Sequence, residues 1–240
     1  MDQADQKTVR AASARRRAPL ALAVLSLALV ACGSSHSEPN DGAGGAMTEV
    51  PDGLPYATTI ESFTPGDGAG FNETKLPGVV LGPPQGKGTR AGSLDVLSLG
   101  SGGEIVLSFG DRAIEDQPGP DFVVFENPFW PGGDRAQVYA ELGEVSVSRD
   151  GESWLTFACA SEGDGDGNFP GCAGWTPTLA FDPNEIVPLD LELTGGDAFD
   201  LAELGLVEAR FVKIVDLKTL DAGGNSAGFD LDAIGLLGQN

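Results

Sequence analysis

Carboxylates are the only abundant reactive side chains in this sequence, which holds 36 Asp and Glu against 14 Lys and Arg. The loop Gly110 to Pro120 (GDRAIEDQPGP) carries Asp111, Glu115 and Asp116 and leads into Asp121 and Glu126. Near the C-terminus stand Asp216, Asp221, Asn225, Asp230 and Asp232. In a strand, Asp230 and Asp232 point to one face. Two adjacent carboxylates repel unless a cation, a base or solvent screens them. Calcium suits such a set, because it takes oxygen ligands from Asp, Asn, carbonyls and water. Asp216, Asp221, Asp230 and Asp232 are therefore the expected calcium ligands, set against a solvated acidic edge. The run EGDGDGN (162–168) places Asp164, Asp166 and Asn168 at positions 1, 3 and 5 of an EF-hand loop, but Phe169 and Trp175 occupy its glycine and final glutamate positions. The hand is excluded; an acidic turn remains.

Other chemistry is sparse. The one histidine, His36, precedes any strand-like segment, so the domain has no Ser-His-Asp or Cys-His set. Paired carboxylates could serve a glycosidase only at defined separations in a cleft, and no hydrolase motif accompanies them. The expectation is a protein that is not an enzyme, with a hydrolase as a minor alternative. Cys159 and Cys172 are the cysteines expected to form a disulfide after export, since two thiols without a histidine make a poor zinc set. Trp130 and Trp175 fall in expected loops, where an aromatic face can stack on a sugar or anchor a protein interface.

Export is written in the N-terminus. Arg15, Arg16 and Arg17 precede the apolar run LALAVLSLALVA (20–31), which is short of the ~20 residues needed to span a bilayer. The run ends in Leu-Val-Ala-Cys32, which resembles the bacterial lipobox, whose cysteine is lipidated. Residues 1–31 then form a signal peptide, 32–52 a Gly/Ser/Pro-rich tether, and 53–240 the folded domain. By the same resemblance, an acidic residue at position 33 would favour inner-membrane retention, so Gly33 implies the outer membrane or cell surface. The acyl chains would anchor the protein without spanning the membrane. Beyond residue 31 there remain nine basic against 34 acidic residues, so nucleic acid is excluded as a partner for want of a basic patch.

These groups must be positioned by strands. Glycine (35) and proline (16) are frequent, and apolar runs are short. Leu94–Leu99 and Glu104–Phe109 flank Gly-Ser-Gly-Gly as a hairpin. DFVVFE (121–126) is apolar on both faces, as in a strand covered twice. Gln137–Ser148, Ser153–Cys159, Ala209–Asp216 and Gly228–Leu237 complete the strand set. Only DAFDLAELG (197–205) reads as helical. The fold class is all-β, with sandwich spacing.

Two segments carry a family resemblance. VSVSRDGESW (145–154), with its valines inward and serines outward, and ARFVKI (209–214) resemble the central hairpin and a late strand of discoidin-like (coagulation factor 5/8 type C) and other galactose-binding-like jelly rolls. DFVVFENPF and GFDLDAIG are also similar to bacterial cell-surface proteins of undefined activity. The resemblance implies a jelly-roll sandwich and a structural calcium near a sandwich edge. It transfers no ligand. The joint expectation is a lipid-anchored envelope module binding a glycan; the alternative is an envelope protein as partner, in adhesion or a surface assembly.

Overall fold

The computed structural model describes residues 53–179, 189–219 and 228–238. The signal segment, Cys32, the tether, His36, Asp221 and Asn225 lie outside the described residues. The strands are β1 (Thr59–Thr64), β2 (Leu97–Ser98), β3 (Glu104–Ser108), β4 (Ile114–Glu115), β5 (Phe122–Phe125), β6 (Gly143–Ser148), β7 (Trp154–Thr156), β8 (Cys172–Ala173), β9 (Asp197–Phe199), β10 (Glu208–Ala209), β11 (Phe211–Asp216), β12 (Asp230–Leu231) and β13 (Ala233–Leu236). Helix among the described residues is limited to Leu191–Thr194 and short 3-10 turns. None is long and apolar enough to cross a membrane.

The larger sheet runs β1-β3-β11-β6-β7, with β8 pairing beside β6. Its inner face follows from period-two alternation. Val212 and Ile214 of β11, Val145 and Val147 of β6, and Ile105 and Leu107 of β3 are all fully buried. They meet Phe122 and Val124 of β5, Ile234 and Leu236 of β13, and Phe199 of β9, which belong to the second sheet, β13-β5-β9. The product is an all-β sandwich. Each such side chain contributes roughly 1.5–3 kcal/mol by leaving water.

The second sheet is covered on its other face too. Val123, Phe125 and Ala233 pack with Tyr56 and Leu237, and Leu54, Leu189 and Leu191 lie against them. This double cover is why β5 lacks alternation. The segment entering the domain joins it directly: Ala57 N donates to Ile234 O at 2.9 Å and Leu236 N to Pro55 O at 2.6 Å.

VSVSRDGESW forms the hairpin of β6 and β7, with Ser148 opposite Trp154. Asp150 Oδ1 accepts from Ser153 N at 2.7 Å and Glu152 N at 2.9 Å, and Ser148 Oγ accepts from Gly151 N at 2.9 Å. Gly151 sits at φ 76°, a left-handed position suited to glycine. The serines are not on an open face, however. Ser146 and Ser148 are buried: Ser146 Oγ lies 2.9 Å from Thr156 Oγ1, and Ser148 is folded into the turn. Trp154 is half-buried, with Lys213 Nζ 4.5 Å from its ring centre.

Three other expectations change. The Gly100–Gly103 turn forms, with Gly103 N donating to Gly100 O at 2.8 Å, but its flanks do not pair with each other. β2 pairs with β12, while β3 pairs with β1 and β11. Residues 197–205 are not one helix: β9 pairs with β5, and only Leu201–Leu204 turns, capped by Asp200 accepting from Ala202 N. Burial of Phe199 and Leu201, together with the ladder to β5, outweighs local helix preference. Between 137 and 148, strand is confined to β6, after 3-10 turns at Pro131–Gly133 and Arg135–Gln137.

Candidate cation centre and loop end

The buried run of β5 carries the chain straight into Glu126. Glu141 lies just before β6, and Asp230 opens β12. One carboxylate oxygen from each of these three residues falls within 4.8 Å of the other two. Glu126 is 2% exposed and Glu141 4%. Glu126 Oε1 accepts from Asp230 N at 3.3 Å, but its Oε2 has no hydrogen-bond partner and no contact with solvent. Asp230 Oδ2 accepts from Asn127 Nδ2 at 3.3 Å, and its Oδ1 is likewise without a partner. Asn127 Nδ2 also donates to Ser93 O at 3.0 Å. Burial, reinforced by the negative charges of Asp230 and Glu141, pushes the Glu126 carboxyl well above its ordinary range. Burial raises Asp230 as well, against hydrogen bonds from Ser98 and Asn127.

The other two expected calcium ligands among the described residues, Asp216 and Asp232, have different partners. Asp216 Oδ2 accepts from Gly102 N at 2.7 Å and Lys218 N at 2.9 Å, and its Oδ1 accepts from Phe229 N at 2.9 Å. Both oxygens of Asp232 lie 3.0 Å from Gln85 N. Asp230 and Asp232 part because β12 ends at Leu231 and β13 begins at Ala233. Asp230 thus faces Glu126, and Asp232 ties down Gln85. Of the three expected ligands among the described residues, Asp230 is the one that joins the trio. The sequence reading named Glu126 among the carboxylates that follow the 110–120 loop without joining it to Asp230, and it passed over Glu141. The usable signal was an acid abutting a run of fully buried residues.

Asp116, Asp121 and Asp200 form a second acidic group. Asp121 accepts from Gln117 N and Leu201 N, each at 2.7 Å, one on each oxygen. Its bonds tie two turns together. Asp197 is a further internal clamp, accepting from Gly174 N at 2.7 Å, Trp175 N at 3.0 Å and Thr176 N at 3.2 Å. Burial nevertheless pushes its carboxyl up to about 6.

Above the trio the chain leaves β5 as a loop with a closed neck. Phe129 and Tyr139 stack at 5.0 Å and exchange backbone hydrogen bonds. Trp130 is half-buried at the start of the loop, its N–H donating to Thr89 O at 2.8 Å. The exposed Arg135 lays its guanidinium 4.4 Å from the Trp130 ring centre. Two other loops close on this one. A Cβ added to Gly92 would lie 3.0 Å from Asn127 O, and one added to Gly167 would lie 2.6 Å from Arg135 O.

Gly167 belongs to the acidic turn inside the Cys159–Cys172 disulfide loop. There Asp164 Oδ1 accepts from Asp166 N at 2.8 Å, and Oδ2 accepts from Asn168 Nδ2 at 2.7 Å. Trp175 is half-buried, and its indole N–H donates to Cys172 O at 3.1 Å. Its backbone is held by Asp197.

No protein-family model matches this chain, and no curated protein matches it. The two segments that carry the family resemblance are neighbours in space: β6 and β11 pair antiparallel, with Val145 opposite Ile214.

Proposed function

We propose that the chain is a lipid-anchored, non-enzymatic binding module of the bacterial envelope that recognises a glycan through the Trp130–Arg135 loop. The observation that carries this reading is the loop's construction. A neck of stacked aromatics precedes the contact of Trp130 with Arg135 at the end of the sandwich. An aromatic ring beside an exposed guanidinium offers an apolar face for a sugar ring and N–H donors for its hydroxyls. The export signal and Cys32 support the envelope location and the lipid anchor. The jelly-roll resemblance supports a sandwich specialised for binding.

The second reading, an envelope protein as partner, is favoured by Leu94, which is 66% exposed beside Ser93 at the same loop cluster.

A glycan array followed by calorimetry on its hits tests the first reading. Trp130→Ala and Arg135→Ala are expected to weaken binding tenfold or more, with unchanged thermal midpoints, while Trp175→Ala acts through folding. An array without hits, or Trp130→Ala binding as the parent does, refutes it. Capture of one defined envelope protein that depends on Leu94 would then favour the second.

A further inference from the structure

We propose that Glu126, Glu141 and Asp230 form a binding site for one divalent cation of the calcium class, set at the base of the Trp130 loop. The site differs in composition from the four aspartates read from the sequence, and it stands whether or not the loop binds a glycan.

The first ground is the trio's charge and burial. Three acids from distant parts of the chain converge where two of them are almost wholly removed from water. Among the described residues neither Glu126 nor Asp230 pairs with Lys or Arg; the ion pair present is the surface contact Arg149–Glu208. Unpaired charge in an apolar interior is strongly unfavourable.

The second ground is the pair of orphaned oxygens. Glu126 Oε2 and Asp230 Oδ1 are buried acceptors without donors. Native interiors leave few such atoms, and each calls for a physical account. A divalent cation offsets two charges and gives both orphaned oxygens a partner.

The third ground is ligand type. The donors are all hard carboxylate oxygens within 4.8 Å of one another. Calcium takes about six to eight such oxygens in flexible geometry, whereas magnesium demands near-ideal octahedral placement and gives up its waters reluctantly, so a buried carboxylate set favours calcium. Asn127 fixes the second oxygen of Asp230 and reaches Ser93, as an outer-shell residue does around a metal. An ion here would join the end of β5, the entry to β6 and the start of β12.

The test uses the full chain in detergent, melted in chelator and then in millimolar calcium or magnesium, with calcium calorimetry in parallel. Calcium at a hundred times its dissociation constant should raise the midpoint by about 5–10 °C, more than magnesium does, with one ion bound per chain. Glu126→Gln should abolish both the shift and the binding heat. It should melt no lower than the parent in chelator, because Gln keeps the side chain's size and an acceptor for Asp230 N. Asp116→Asn, in the other acidic group, should keep the shift. If Glu126→Gln does not fold, Asp230→Asn and calorimetry on the parent chain decide. No shift and no heat in the parent overturn the proposal. So do a larger response to magnesium, or calcium binding retained after either substitution.

Discussion

Removing the Cys159–Cys172 disulfide tests whether the acidic turn depends on the crosslink for its shape or only for its stability. The cysteines are 13 residues apart. For a closed loop of that length, the chain-entropy model gives a loss of ~3 kcal/mol when the crosslink is cut. Native contacts around the bridge argue that most of this arises in the unfolded chain. Ala160 N donates to Pro170 O at 2.9 Å, Cys172 N to Phe169 O at 3.1 Å, and Gly163 N to Ala160 O at 2.9 Å. The turn is therefore tied by its own backbone, and Cys159→Ala/Cys172→Ala should keep its native shape. For a domain of this size, ~3 kcal/mol corresponds to a fall in midpoint of roughly 6–12 °C. The assay is a thermal melt of the double variant beside the parent, with and without reductant. Reductant should lower the parent to near the variant and leave the variant unchanged. A fall below about 2 °C would refute the entropic argument, implying that the unfolded chain is already constrained. Loss of the native amide spectrum at low temperature would refute the claim that the turn holds itself.

Stability should also respond to pH in an unusual direction. Glu126, Asp197, Asp230 and Asp232 are all held above their ordinary values by burial. A raised folded value means the native state binds more protons than the unfolded chain. The resulting stabilisation is fully present below the unfolded value and is lost as pH rises through the folded one; for Asp197 the window runs from 3.8 to about 6. In chelator the midpoint should therefore rise as pH falls from about 8 to about 5, and a steady decline over that range would contradict the reasoning. Phe122 is fully buried, 5.2 Å from Phe199 and 5.9 Å from Phe157. Phe122→Ala should cost ~3–5 kcal/mol in urea unfolding; a loss under about 1 kcal/mol would mean the sheets do not pack through this ring.

What could be read from the sequence follows the range of the forces involved. β11 was legible because alternation is local and one face of its sheet is buried. The twofold burial of β5 was legible from DFVVFE, since no polar residue interrupts it. The disulfide was legible from the cysteine count and the expectation of export. The segment 94–99 misled, because most of it is loop and its two strand residues pair with β12, far along the chain. Residues 197–205 misled because helix preference is local, whereas pairing with β5 is not. The acidic trio was hidden for the same reason: no spacing rule connects Glu126, Glu141 and Asp230. The aspartates chosen instead were close in sequence, but Asp216 and Asp232 are occupied with backbone N–H groups.

The pairing of Pro55–Ala57 alongside Ile234–Leu236 has a mechanical meaning. On the anchored reading, any pull between membrane and ligand enters the domain just before residue 53. It then meets a short stretch of antiparallel backbone, Ala57 N to Ile234 O and Leu236 N to Pro55 O, backed by Arg112 Nη2 donating to Tyr56 O at 3.2 Å. The entering segment is thus fastened to the penultimate stretch of the chain, so a load passes into β13 before it reaches the rest of the fold. The loop cluster around Trp130 is carried by the opposite ends of other strands. Tension at the anchor and contact at the loops would then be borne by separate parts of the domain.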